Sequence, residues 1–183
     1  MNKTLKFFLT TGWILFSRAY DAYSTAQLTP DLSKEANPLV TMVGISSWTA
    51  LILVLSALTL YSLYVYYQQL FHPMNLLPKE KQKSFGDFVA FLYLGRSEHW
   101  SAFLYKFPND WKRFNAYMGE WLATCLVYAG IVSTLMWLGI YYSEWYRQVH
   151  RASFIYAILI AGCLVIGYIW NRKKYHAHLQ AFS

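Results

Sequence analysis

Residues 40–70 run for 31 positions without one charged side chain. As one helix at 1.5 Å per residue that stretch is ~46 Å long, against a bilayer hydrocarbon core of ~30 Å. Lipid offers no hydrogen-bond partners, so a segment crossing it must satisfy its own backbone, and a helix does so. The run therefore reads as a membrane helix that tilts or protrudes. Its end, with Tyr61, Tyr64, Tyr66 and Tyr67, has the composition of an interfacial aromatic belt. Three other segments have the length and apolar character of spans: 5–27, the weakest, 115–142, and 152–170, the cleanest. Only 14% of the chain is charged, compared with about 25% in soluble domains, so composition agrees. The expected fold class is an all-α integral membrane protein: a four-transmembrane-helix bundle in a single membrane domain, 1–183, with an interfacial helical loop at 71–114.

The first segment also has features of a signal peptide, with Lys3 and Lys6 ahead of a short apolar stretch. Arg18 and Asp21 interrupt the place where a cleavage site would fall, so it is read as a retained helix. Charge placement then sets orientation. With the N-terminus in the cytoplasm, the inner side carries Lys3, Lys6, Lys79, Lys81, Lys83, Arg96, Lys106, Lys112, Arg113, Arg172, Lys173 and Lys174, twelve of the sixteen basic residues. Lys34, Arg147 and Arg151 fall outside, and Arg18 within the first span. Both termini are expected to be cytoplasmic. The net charge of +7 is thus mainly a topology signal, and no nucleic-acid partner is expected.

The loop at 71–114 opens on His72-Pro73, which should end the second helix. Phe85, Phe88, Val89, Phe91 and Leu92 suit a short helix over 79–94, lying in the interface with its aromatics in lipid, and 97–107 suits a second. The loop's seven basic and four acidic residues should attract anionic lipid headgroups. Pro108-Asn109-Asp110 reads as a turn and cap before the third span. Small residues recur every four positions: Ser153, Ala157 and Ala161 on the fourth span, Gly119 and Ala123 on the third, Ser46 and Ala50 on the second. Such stripes permit close helix packing in lipid, within the chain or against another subunit.

Ionisable groups inside a span are candidates for function. Thr10, Ser17, Asp21 and Ser24 make one polar stripe on the first helix, with Arg18 and Thr25 placed to touch Asp21. A structural Arg18–Asp21 ion pair is the plainer explanation. Glu120 and Thr124 form a shorter inner-side stripe on the third helix. The outer loops add Glu35 and Asn37, then Glu144, Arg147, His150 and Arg151. Carboxylates with a histidine suit either a divalent metal or acid–base chemistry, and arginines suit a phosphate or carboxylate. Loop solvation and helix capping explain the same residues. No metal or other cofactor is assigned. Cys125 and Cys163 sit inside apolar runs and read as small hydrophobes.

Asp21-x-x-x-Thr25 followed by Glu35-Ala36-Asn37-Pro38 resembles a family of small prokaryotic multi-pass membrane proteins of unknown function, which carry D-x-x-x-T and then E-x-N-P between their first two spans. The resemblance covers about residues 18–40, and the long basic loop is not part of that pattern. It implies that these residues act as a unit in a prokaryotic inner membrane, and it brings no activity. From the residues themselves, Glu35 and Asn37 suit a cap on the second helix with Pro38 in its first turn, and Asp21 is placed to accept hydrogen bonds from that cap.

No histidine lies mid-span, as a transmembrane haem would require, and no glycine-rich phosphate loop or nucleophile elbow is present. Three functions remain open. The first expectation is a non-catalytic subunit or scaffold, whose partners are lipids, other membrane proteins or copies of itself. The alternatives are an enzyme acting on a lipid-like substrate at the outer face through Asp21, Glu35 and His150, and a small-solute or ion carrier using the Arg18–Asp21 stripe.

Overall fold

The structure is a computed structural model that describes residues 2–32 and 36–182. The chain is helical, with no strand among the described residues. In order the elements are α1 (Lys3–Leu28), the one-turn α2 (Pro38–Thr41), α3 (Trp48–Phe71), α4 (Phe85–Leu94), a 3₁₀ turn (Trp100–Leu104), α5 (Trp111–Tyr142), α6 (Glu144–Val149) and α7 (Ala152–Gln180). Three of these, α3, α5 and α7, are long and apolar enough to cross a membrane, with mean hydropathies of 1.8, 1.8 and 2.3 over their most apolar 18 residues.

The uncharged run at 40–70 is not one helix. Asn37 caps the separate turn α2, its side chain accepting from the Leu39 amide at 2.9 Å, with Pro38 in the first position. Gly44 then turns the chain at φ +82°, a conformation that side chains with a Cβ rarely adopt. Helix α3 begins only at Trp48, where Ser47 accepts from the Ala50 amide at 3.2 Å. Its 24 residues are ~36 Å long, so the excess length that called for tilt is largely gone. At the other end of the chain, α7 runs ten residues beyond Trp170 to Gln180. Arg172, Lys173 and Lys174, beyond the expected span at 152–170, extend the helix because arginine and lysine propagate it well.

The chain divides into two compact units, Met1–Ser62 with Cys125–Cys163, and Leu63–Thr124 with Leu164–Ser183. In the first unit α1 packs along α5. Gly130 makes that approach possible, because a Cβ there would lie 2.4 Å from Ser17 Oγ. Trp13 Nε1 donates to the Val127 carbonyl at 3.2 Å on the same face. Trp48 Nε1 donates to the Thr29 carbonyl at 3.1 Å and so ties the start of α3 to the end of α1.

The second unit holds the hydrophobic cluster of Leu76, Phe88, Leu92, Ala116 and Tyr117. Helix α4 starts at Phe85, capped by Ser84, and ends at Gly95 in the left-handed conformation. Phe88 and Leu92 are fully buried, so the expectation that they would face lipid is corrected. The reason is a docking partner invisible in local periodicity: Phe88 packs on Tyr175 and His178 of α7, at 5.2 Å to each ring. The second interfacial piece is the 3₁₀ turn, joined to α4 where the Trp100 amide donates to Asp87 at 2.9 Å. Its Trp100, Phe103 and Leu104 are the side chains that stay exposed. Gly119 brings α5 against α3 so closely that a Cβ would meet the Val65 carbonyl at 2.4 Å.

Candidate functional site

The polar stripe of α1 faces α5. Ser17 and Ser24 are completely buried, although they sit on a helix that also exposes Phe8, Leu9 and Phe16. Asp21 is held from two sides: Trp137 Nε1 donates to Oδ1 at 2.7 Å, and Arg18 Nη1 lies 3.6 Å from Oδ2. Arg18 also donates through Nη2 to Ser133 Oγ at 3.0 Å. Both side chains of the pair remain 30% exposed. The group is therefore a four-membered network of Arg18, Asp21, Ser133 and Trp137. A carboxyl group that accepts an indole N–H and faces a guanidinium is fixed in place.

The other members of the proposed outer cluster are placed differently. Thr25 bonds back to the Asp21 backbone carbonyl at 2.8 Å, not to its carboxylate. The cap residue Asn37 belongs to α2, and the hydrogen bond expected from this region to Asp21 comes instead from Trp137. Glu35 lies outside the described residues. Arg147 closes the end of α5, donating from Nε to the Ile140 carbonyl at 3.0 Å and from Nη2 to the Tyr141 carbonyl at 3.4 Å. Those are carbonyls that a helix end leaves without intrahelical partners. Glu144 is an exposed first-turn residue of α6, where its charge complements the helix dipole. His150 ends α6, its ring 5.6 Å from that of Tyr146, and burial pushes its imidazole below the usual value. Arg151 is exposed, and its carbonyl accepts from the Phe154 amide at 3.1 Å. No hydrogen bond or ion pair joins Asp21 to His150 among the described residues, and no group of three or more His, Cys, Asp or Glu placed to hold a metal is found among them.

In the second unit Glu120 accepts from Trp170 Nε1 at 3.2 Å, while Lys174 lies 4.5 Å over the Trp170 ring. One turn away Tyr117 donates to Asn171 Oδ1 at 3.3 Å, and Asn171 Nδ2 donates to the Gly167 carbonyl at 2.8 Å. Thr124, paired with Glu120 by spacing, is exposed and bonds only to the Glu120 backbone at 2.8 Å. Sequence reasoning missed Ser133, Trp137, Trp170 and Asn171. For the first two a signal existed: Val127, Gly130, Ser133 and Trp137 recur at three- and four-residue intervals, one face of α5. Cys125 and Cys163 interact through their side chains, a pairing that their sequence separation does not suggest.

No protein-family model, curated protein or solved structure matches this chain at a significant level.

Proposed function

We propose that this chain is an integral membrane protein of four spans, with both termini cytoplasmic in a prokaryotic inner membrane, working as a non-catalytic subunit or scaffold beside a partner helix. The observation that supports this most is the face of α7 bearing Ser153, Ala157 and Ala161. All three are exposed, and Phe154, Ile160 and Leu164 beside them are more than 60% exposed. Only 6% of the most apolar stretch of α7 is buried within the chain. Other close-packing glycines are already occupied, Gly119 by Val65, Gly130 by Ser17 and Gly162 by Tyr128. The α7 stripe is thus a face suited to close helix approach that no helix among the described residues covers.

The fourth span is α1. Its charged pair turns toward α5 while Phe8, Leu9, Phe16 and Tyr23 look outward, the division of a helix bounded by protein and lipid. The twelve inner-side basic residues support the orientation. The enzyme and carrier alternatives draw less from the structure, because Asp21 is already engaged by Trp137 and Arg18. The test is purification in mild detergent, with the particle mass measured and co-purifying proteins identified. A partner or a second copy is expected, released by Ala157→Leu with Ala161→Leu while membrane insertion persists. A lone monomer, unaffected by the double substitution, ends the scaffold reading.

A further inference from the structure

The second unit contains a cavity of about 410 Å³ that the network around Asp21 does not involve. Arg113 forms part of its wall, with Lys79, Asn75, Ser97 and Phe91 around it. Arg113 is held in place before any ligand arrives. Its Nη2 donates to the Leu76 carbonyl, and its guanidinium carbon lies 4.7 Å over the Phe91 ring. Its Nε is buried with no hydrogen-bond partner. Nε is closed off from the cavity, so a ligand there would meet Arg113 through its terminal guanidinium N–H groups.

The two polar neutral side chains each already accept one hydrogen bond. Asn75 Oδ1 accepts from the Leu77 amide at 3.1 Å, and Ser97 Oγ accepts from Gln82 Nε2 at 3.4 Å. Asn75 still offers an NH₂ and Ser97 an O–H as donors. The acids of the segment are mostly committed elsewhere. Asp87 accepts from the Trp100 amide and Asp110 from the Arg113 amide. Glu98 binds Lys106 at 2.8 Å and Arg96 at 3.0 Å, and the Lys106 hydrogen bond foremost holds its carboxyl below the usual range. Of the four acids between residues 71 and 114, only Glu80 borders the cavity. The cavity wall therefore presents two cationic groups and two neutral donors against one carboxylate, with an aromatic ring behind the guanidinium.

We infer that this cavity is a binding site for a phosphate group, gripped by Arg113 and Lys79 and hydrogen-bonded by Asn75 and Ser97. A phosphate supplies the several acceptors in a small volume that this donor set needs, and a positioned guanidinium is its best partner. The phosphate belongs either to a lipid headgroup or to a soluble phosphate ester. This inference is independent of the scaffold reading, since a subunit and an enzyme can both hold such a ligand.

The test uses the full chain purified in detergent, with three probes titrated separately by calorimetry: a short-chain phosphatidic acid, glycerol 3-phosphate, and the matching short-chain diacylglycerol. Phosphatidic acid binding alone identifies a lipid headgroup site. Equal binding of glycerol 3-phosphate identifies a soluble ligand. Both outcomes support the inference, and diacylglycerol is expected not to bind. Arg113→Gln and Lys79→Gln should each weaken phosphate binding by about tenfold or more. Lys79 is exposed, so its substitution should leave thermal unfolding unchanged and keep the test valid if Arg113→Gln fails to fold. The inference is overturned if neither phosphate probe binds, if diacylglycerol binds as well as phosphatidic acid, or if Lys79→Gln binds like the unsubstituted chain.

Discussion

The two units solve opposite problems with the same helices. In the first, α1 carries an arginine and an aspartate among apolar residues, and the packing against α5 serves to satisfy them: Trp137, Ser133 and the gap at Gly130 all answer polar groups of α1. In the second, α4 carries a run of large apolar residues in a basic connecting segment, and packing serves to bury them, with Phe88 and Leu92 enclosed by Leu76, Ala116 and Tyr117. A polar network depends on geometry, since a missing partner leaves a charge or donor stranded. An apolar cluster depends on volume. The units should therefore fail differently.

The largest effect is expected in the apolar cluster. Phe88→Ala removes a fully buried ring and should destabilise the chain by about 3–5 kcal/mol, read as a drop in unfolding midpoint in detergent. A change below ~1 kcal/mol would mean that the cluster around Phe88 does not hold the second unit together. Next come two glycines. Gly119→Ala sets a Cβ against the Val65 backbone, which cannot rotate away, whereas Gly130→Ala meets chiefly the Ser17 and Trp13 side chains. Overpacking costs about 1–3 kcal/mol, and Gly119→Ala should lie at the top of that range and above Gly130→Ala in thermal unfolding. The reverse order would show that the first unit is the more rigid one.

Smaller effects should come from the polar network. Trp137→Phe keeps an aromatic ring but removes the indole donor to Asp21, and should destabilise by about 1–2 kcal/mol. Asp21→Asn acts on the same carboxylate, so the double variant should fall short of the sum of the singles. Full additivity would separate the two residues. The smallest effect is that of pH at His150. Burial depresses its folded pKa, so its contribution to stability is present above the unfolded value near 6.5 and is lost as pH falls. Acidification from about pH 7.5 to 5 should lower the unfolding midpoint more in the unsubstituted chain than in His150→Gln. Equal shifts would show that the histidine is not held neutral.

How far these features were legible in the sequence follows from how local their causes are. The α1 stripe and the proximity of Arg18 to Asp21 follow from helical spacing and were readable directly. The burial of Phe88 was not, because the same amphipathic pattern serves lipid and a protein partner equally, and the deciding residues, Tyr175 and His178, lie about ninety positions further along. Span count and charge bias put the outer-loop residues on one expected side, but they do not say what each side chain bonds. Arg147 instead uses its donors on carbonyls of α5, seven and six residues away. The split of 40–70 into α2 and α3 rested on local signals that were present, Asn37-Pro38 and Gly44, but the absence of charge outweighed them.

Sequence alone determined the helical class and the presence of membrane-length apolar helices, because both depend on runs of neighbouring residues and on the period of one helix. It also determined which charges lie within those runs. Only the tertiary structure decided how they are answered: Asp21 by a tryptophan 116 positions away, Arg18 by Ser133, and Arg113 by a carbonyl at Leu76 and a ring at Phe91. Hydrogen bonds and ion pairs act over a few ångströms, so their partners are chosen by how helices pack, and no spacing within a single helix encodes that choice.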